Sequence, residues 1–373
     1  MRRIIPITLI ALLTIALGCD DAPEPVSAPE PAAAPEEPAA QPAEPPAPKV
    51  TLRDEMRNQA KQVFGTLPDS APSETNEVTE EKITLGRMLY FDPRFSKNHD
   101  ISCNSCHDLA NHGVDGETTS PGHKGQRGSR NSPTVYNAAL HIAQFWDGRS
   151  PDVEDQAKGP VLNPVEMAMP GEEAAVAVLK SIPGYAELFA AAFPDDEDPI
   201  TFDNMARAIG AFERRLITAD RFDAFTSGQD EALSDEELAG LSVFMTTGCI
   251  TCHNGPTIGG QLFRKLGLVR PYETEDPGRF EVTKDEADRK VFKVPSLRNV
   301  AMTGPYFHDG SVESLDEAIR LMASHQLGID LADNQVASIK AFLGTLTGAV
   351  DPEYIAEPTL PESGPDTPAP DPS

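Results

Sequence analysis

Leu238, Leu241, Phe244 and Met245 recur at helical spacing behind Ser234 and Glu237. A serine and a glutamate three residues apart can satisfy each other's free backbone donors, so this stretch predicts a capped helix with one apolar face. Thr79 to Phe91 predicts a comparable helix. Ser314 and Glu317 open another, with Ala318, Ile319 and Met322 along its apolar stripe. Between such segments run long loops with little strand signal, so the expected fold class is all-α. The ends are patterned differently. Met1-Arg2-Arg3 precedes an apolar run from Ile4 to Leu17 that is short for a bilayer span and reads as a signal peptide. Residues 21–48, mostly Pro, Ala and Glu, cannot bury a core and predict an extended tether within a 20–50 linker. Residues 356–373, again rich in Pro and acids, predict a disordered end to the acidic 351–373 tail.

Each of two helical stretches leads into the same five-residue word. Cys103-Asn-Ser-Cys106-His107 follows the first, and Cys249-Ile-Thr-Cys252-His253 follows the second. Cys-x-x-Cys-His is the attachment signal for a c-type haem: two thiols bond the porphyrin vinyls and the adjoining histidine binds iron from one face. A zinc site would need its four ligands together, and a thioredoxin-like pair has no use for a histidine at the fifth position in both places. The fifth and last cysteine is Cys19, in Ala16-Leu17-Gly18-Cys19, which resembles a bacterial lipoprotein cleavage box. Cys19 is therefore expected to become a lipidated N-terminus in the periplasm.

Helix, haem signal, long loop and returning helix is the layout of a cytochrome c domain, here met twice. A second repeat supports duplication. Pro133 to Gly148 aligns without gaps on Pro295 to Gly310, with Pro133/Pro295, Asn137/Asn299, Ala139/Ala301, Phe145/Phe307, Asp147/Asp309 and Gly148/Gly310 identical. The expectation is two packed cytochrome c-like domains, 51–220 and 221–350, each with one covalently attached haem.

The halves then differ. A thioether is a known axial partner that raises a haem's potential, and Met322 is placed to be one. The position aligned with it is Pro160, which cannot bind iron. His123, in the glycine-rich run from Gly113 to Gly128, is the candidate to cap the first iron from a loop cheap to open. His112, His141 and His325 read as surface or packing residues. One haem suits holding and passing electrons; the other can expose its iron to a small molecule.

Residues from about 80 to 345 resemble the bacterial dihaem cytochrome c peroxidases, periplasmic enzymes that reduce hydrogen peroxide to water. The matching words are Asn104-Ser-Cys-His107, Arg130-Asn-Ser-Pro-Thr-Val135, Gln144-Phe-Trp-Asp-Gly-Arg149, Gln156-Ala-Lys-Gly-Pro160, Asn163-Pro-Val-Glu-Met167, Pro305-Tyr-Phe-His-Asp309 and Met322-Ala-Ser324. The resemblance implies His107 and His253 as proximal ligands, His123 on the first iron in the oxidised form, and Met322 on the second. It implies Glu166 as the acid–base group beside the peroxide site, Gln156 near it, and Trp146, the only Trp, on the electron route between the haems. Asn131 with the carbonyls of Thr303 and Pro305 matches a Ca²⁺ site between the domains. A carboxylate beside the iron could carry the proton that O–O cleavage requires.

The formal net charge is −28; the 20–49 and 351–373 segments carry −6 each and the leader +2, which leaves −18 on the body. So acidic a body argues against nucleic acid and suits a small basic redox partner. The expected partners are hydrogen peroxide, a small cytochrome c or copper-protein donor, a membrane through the lipid only, and a second copy in a homodimer. Two other functions stay open: a non-catalytic dihaem electron carrier, and a relative of the dihaem enzyme that oxidises tryptophan in a partner protein. The latter group resembles this chain but carries Tyr at the distal position of the second haem.

Overall fold

The computed structural model describes residues 51–373. The leader, Cys19 and the 20–50 linker lie outside the described residues. From the amino end come α1 (Leu52–Phe64) and α2 (Glu80–Phe91), the latter capped by the Thr79 hydroxyl. Then follow α3 (Val153–Leu162), α4 (Glu172–Ser181), α5 (Pro183–Ala192) and α6 (Phe202–Glu213). In the second half are α7 (Arg221–Thr226), α8 (Asp235–Thr246), α9 (Leu315–Met322) and α10 (Asp333–Gly344), with α11 (Pro352–Ile355) near the end. The Ser234–Glu237 box closes reciprocally at the start of α8, as its spacing predicts. The fold is mostly helical, with one departure from the all-helical expectation. Strand β1 (Phe263–Lys265) pairs antiparallel with β2 (Val291–Lys293), Arg264 opposite Phe292. Three-residue strands are too short to show a period in sequence.

Each half closes on a crossing of two helices with glycine at the contact. A Cβ on Gly86 of α2 would fall 1.9 Å from the Ala208 carbonyl oxygen of α6, and one on Gly240 of α8 would fall 1.9 Å from that of Ser338 of α10. Only glycine lets these backbones approach so closely. The aligned words prove to be one structure used twice. Gln144 bridges to Ser150 as Tyr306 bridges to Val312. Phe145 and Phe307 both take positive φ, 62° and 70°. Asn137 and Asn299, also left-handed, donate from their side-chain amides to one shared hydroxyl, Thr218 Oγ1, at 2.8 and 2.9 Å.

Two buried cores follow, one around α2 to α6 and one around α7 to α10. The expected division near residue 220 is crossed at both ends of the chain. Helix α1 packs in the second core: Phe64 meets Phe222 edge-on at 5.4 Å, and Arg53 donates to the Asp230 and Leu233 carbonyls at 2.7 and 2.9 Å. Helix α11 returns to the first core, where Tyr354 stacks on Phe212 at 5.1 Å and donates to its carbonyl oxygen at 2.8 Å. Amphipathic spacing fixes which face a helix buries, but not against which core. The 356–373 segment, expected to be disordered, lies along the first half. Arg94 donates to Ser363 Oγ at 3.0 Å, Thr367 Oγ1 to the Ser181 carbonyl at 3.3 Å, and the Asp371 N–H to the Lys97 carbonyl at 2.9 Å. Its prolines restrict the unfolded chain, which lowers the entropy lost when the segment settles in an extended form.

Candidate active site

Helix α8 delivers Cys249 to a single helical turn, and α9 ends on Met322. Cys249, Cys252, His253 and Met322 all line one cavity of about 190 Å³, whose walls include Phe244, Leu297 and Val300. The Nδ1 of His253 faces the Ile258 carbonyl at 3.3 Å, with the Pro295 carbonyl also in range. A ring that donates from Nδ1 presents its Nε2 lone pair elsewhere, the usual setting of a metal-ligating histidine. Burial holds the His253 pKa down to about 4, so the imidazole is neutral. An apolar slot bordered by two thiols, a neutral imidazole and a thioether fits a c-type haem. The thiols fit attachment better than exchange. Burial pushes Cys106 up to about 11, and raises Cys103 and Cys249 too, whereas a redox pair needs a lowered thiol.

The first motif is built alike on its proximal side. His107 Nδ1 lies 2.9 Å from the carbonyl of Pro133, the residue aligned with Pro295, and Tyr90 donates to the His107 carbonyl at 2.7 Å. The distal side differs. Helix α3 occupies the place of α9, and where α9 carries Met322, α3 carries Pro160. The chain then folds back, with the Met167 N–H on the Pro160 carbonyl at 3.1 Å, and brings up Glu166. Asn163 Nδ2 donates to Glu166 Oε1 at 2.8 Å, and the carboxylate's charge reaches Cys106. Burial raises the Glu166 pKa and Arg149 opposes it, as suits a group that exchanges protons.

His123 lies beside Glu166. Its main-chain N–H donates to the Glu166 carbonyl at 2.7 Å, and the ring is buried. Gly122 permits the contact, since a Cβ there would fall 1.9 Å from the Val165 carbonyl oxygen. Gln156, on α3, is half-buried and forms no side-chain hydrogen bond among the described residues. The structure thus joins His123 to Glu166 and leaves Gln156 untied.

Trp146 stands in the wall of the second cavity. Its Nε1 donates to the Asn131 carbonyl at 2.9 Å, and its ring meets His308 edge-on at 6.5 Å. Asn131 in turn donates from its main chain to the His308 carbonyl at 2.8 Å, which ties it to the segment bearing Thr303 and Pro305. No cluster of three or more acidic, His or Cys side chains suited to a metal occurs among the described residues, so a cation here would rely on amide and carbonyl oxygens.

Two buried groups were not legible as site residues. Lys293, within the apolar run Val291-Phe-Lys-Val294, also lines the second cavity; its Nζ donates to His141 Nδ1 at 3.0 Å, and burial pulls it down to about 8. His141, expected at the surface or in packing, is therefore the neutral partner of a buried lysine. Glu213 lies within charge range of Cys103 and is pushed up to about 8 by burial, with the Glu154 charge adding to it. For Lys293 the available signal was a charged residue inside an apolar run; Glu213, followed by Arg214 and Arg215, offered none.

Residues 80–231 match the family described as di-haem cytochrome c peroxidase. The chain is 48% identical over 287 residues to a cytochrome c551 peroxidase of Nitrosomonas europaea, covering 76% of this chain and 84% of that one. It is 44% identical over 324 residues to the protein of the same name in Pseudomonas aeruginosa, covering 85% and 93%. A MauG-like protein associated with microbial copper homeostasis superposes with a TM-score of 0.69 at 30% identity, covering 82% of this chain and 97% of that one. With two cytochrome c-like halves and these relatives, the chain belongs to the di-haem cytochrome c peroxidase family.

Proposed function

We propose that the protein reduces hydrogen peroxide to water at the first motif with electrons received at the second. The observation that carries this is the inequality of the distal sides: Met322 borders the second cavity, while the aligned position is Pro160 and the neighbourhood is instead Glu166 and His123. Haem c, when attached at Cys103/Cys106 and Cys249/Cys252, supplies the redox centre at each motif. His107 and His253 would hold the two irons, and Met322 would be a further ligand of the second. His123 is the releasable ligand of the first. Glu166, half-buried and raised in pKa, carries the proton from one peroxide oxygen to the other, and Asn163 orients it. Gln156 flanks that site. Trp146 and His308 bridge the halves on the electron route. Asn131 with the Thr303 and Pro305 carbonyls holds Ca²⁺ there.

The donor is a small cytochrome c or copper protein; the relatives named for cytochrome c551 support the former. The protein is anchored in the periplasm through a lipid on Cys19 and works as a homodimer. Met322 disfavours the tryptophan-oxidising reading, whose second haem uses Tyr. Stopped-flow mixing of the half-reduced protein with hydrogen peroxide tests the function. A fast spectral change at the first haem, then turnover with added donor, is expected. No change there would leave a dihaem electron carrier.

A further inference from the structure

Helix α9 widens beyond Met322 into a π-turn over Ala323–Leu327 and stops at Gly328, whose φ of 72° is left-handed. Such widenings are rare and recur at functional sites. Ala323, Gln326 and Leu327 of the turn stand with Met322 in the wall of the second cavity. The loop that leaves β1 packs on this turn. Its Val269 and Arg270 N–H groups donate to the His325 carbonyl at 2.9 and 3.1 Å, and His325 Nδ1 donates to the Arg270 carbonyl at 3.0 Å. The Leu268 N–H donates to Gln326 Oε1 at 2.9 Å. The Arg270 guanidinium completes the set. Its Nη1 donates to Ser324 Oγ at 2.8 Å and to the Asp330 carboxylate, and its Nη2 to the Gly328 carbonyl at 2.8 Å.

With Met322 read as the sulfur ligand of the second haem, we propose that Arg270 is a positioning residue that fixes the Met322 thioether by bracing the π-turn behind it. A guanidinium is a planar fork, so one side chain holds the Ser324, Gly328 and Asp330 acceptors in a fixed relation. These three span the turn and the chain that leaves it. A cation at a helix C-terminus also complements the carbonyls left free there. The ion pair with Asp330 is exposed and contributes little by itself; the hydroxyl and carbonyl contacts hold the turn. Methionine is unbranched and flexible, so its sulfur is placed only as firmly as its backbone. Loosening the turn therefore frees the sulfur to move. Arg270 is not in the cavity wall, and every contact of the brace is between protein groups.

The test compares the oxidised dihaem holoprotein with Arg270→Met, Arg270→Lys and the milder Ser324→Ala. Two readouts report on the second haem: the imidazole concentration that halves its methionine–iron charge-transfer band, and its reduction potential by potentiometric titration. Arg270→Met is expected to let imidazole displace Met322 at a several-fold lower concentration and to lower the potential, since the thioether raises it. Arg270→Lys keeps the charge without the fork and should fall between Arg270→Met and the parent. Ser324→Ala should move both readouts in the same direction by less. If band and potential stay at parent values in Arg270→Met and Ser324→Ala, with thermal stability alone reduced, Arg270 does not position the ligand and the Met322 assignment stands. A parent without the band would remove Met322 as a ligand, and the brace with it.

Discussion

The helix crossing behind the second motif makes a demand that one methyl group can test. In Gly240→Ala the new Cβ would fall 1.9 Å from the Ser338 carbonyl oxygen and 3.0 Å from the Phe342 Cβ. To regain ordinary contact, α8 and α10 must separate by roughly 1.5 Å, and overpacking of this kind costs about 1–3 kcal/mol. Alanine in a free helix would instead gain about 1 kcal/mol over glycine. Gly344, in the last turn of α10, supplies the control, because nothing lies within 4 Å of its Cβ position. Denaturant unfolding should therefore show opposite signs, with Gly240→Ala destabilised and Gly344→Ala neutral or up to about 1 kcal/mol more stable. Cys249 follows α8, and Met322 on α9 borders the same cavity, so Gly240→Ala should also weaken the methionine–iron charge-transfer band. Equal stabilisation by both substitutions would mean that the crossing is not in contact.

Glu166→Gln should leave both haem spectra intact and lower turnover about 10²- to 10⁴-fold, as for loss of a proton-transfer group; near-normal steady-state rates would remove Glu166 from the chemistry. Met322→His should lower the reduction potential of the second haem, since thioether ligation raises it; an unchanged potentiometric titration would mean that Met322 is not a ligand. Glu213 has a folded pKa of about 8, above the unfolded carboxylate value of about 4.3. The native state keeps a proton that the unfolded chain has lost, so stability falls as pH rises between those values and levels off above about 8. Glu213→Gln should match the parent below about pH 4 and exceed it at pH 9, by an amount on the order of a few kcal/mol; a pH-independent difference in unfolding midpoints would refute this.

What could be read from the chain beforehand was local. Ser234 with Glu237, the two Cys-x-x-Cys-His words and the Pro133/Pro295 repeat act over a few residues, and all reappear, the repeated prolines as the carbonyls in range of each proximal histidine. Met322 lines the cavity at the second motif, and the repeat's register sets Pro160 at the aligned position. Associations set by tertiary packing were not legible. Helix α1 announces an apolar face in Ala60 and Phe64, but nothing nearby says that Phe222 will cover it. The tail's composition suggested disorder because apolar content is the signal for burial, whereas its order rests on hydrogen bonds to Arg94, Lys97 and Ser181. Lys293 was hidden by rarity: buried lysines seldom occur unpaired, and its partner His141 lies 152 residues away.

The most direct test of the central claim is an electron paramagnetic resonance comparison of the fully oxidised protein with the form reduced by one electron. The account predicts that the signal of the methionine-ligated second haem vanishes on reduction, while the first haem passes from a histidine-capped to a vacant state. Retention of two capped iron sites through that reduction would contradict it.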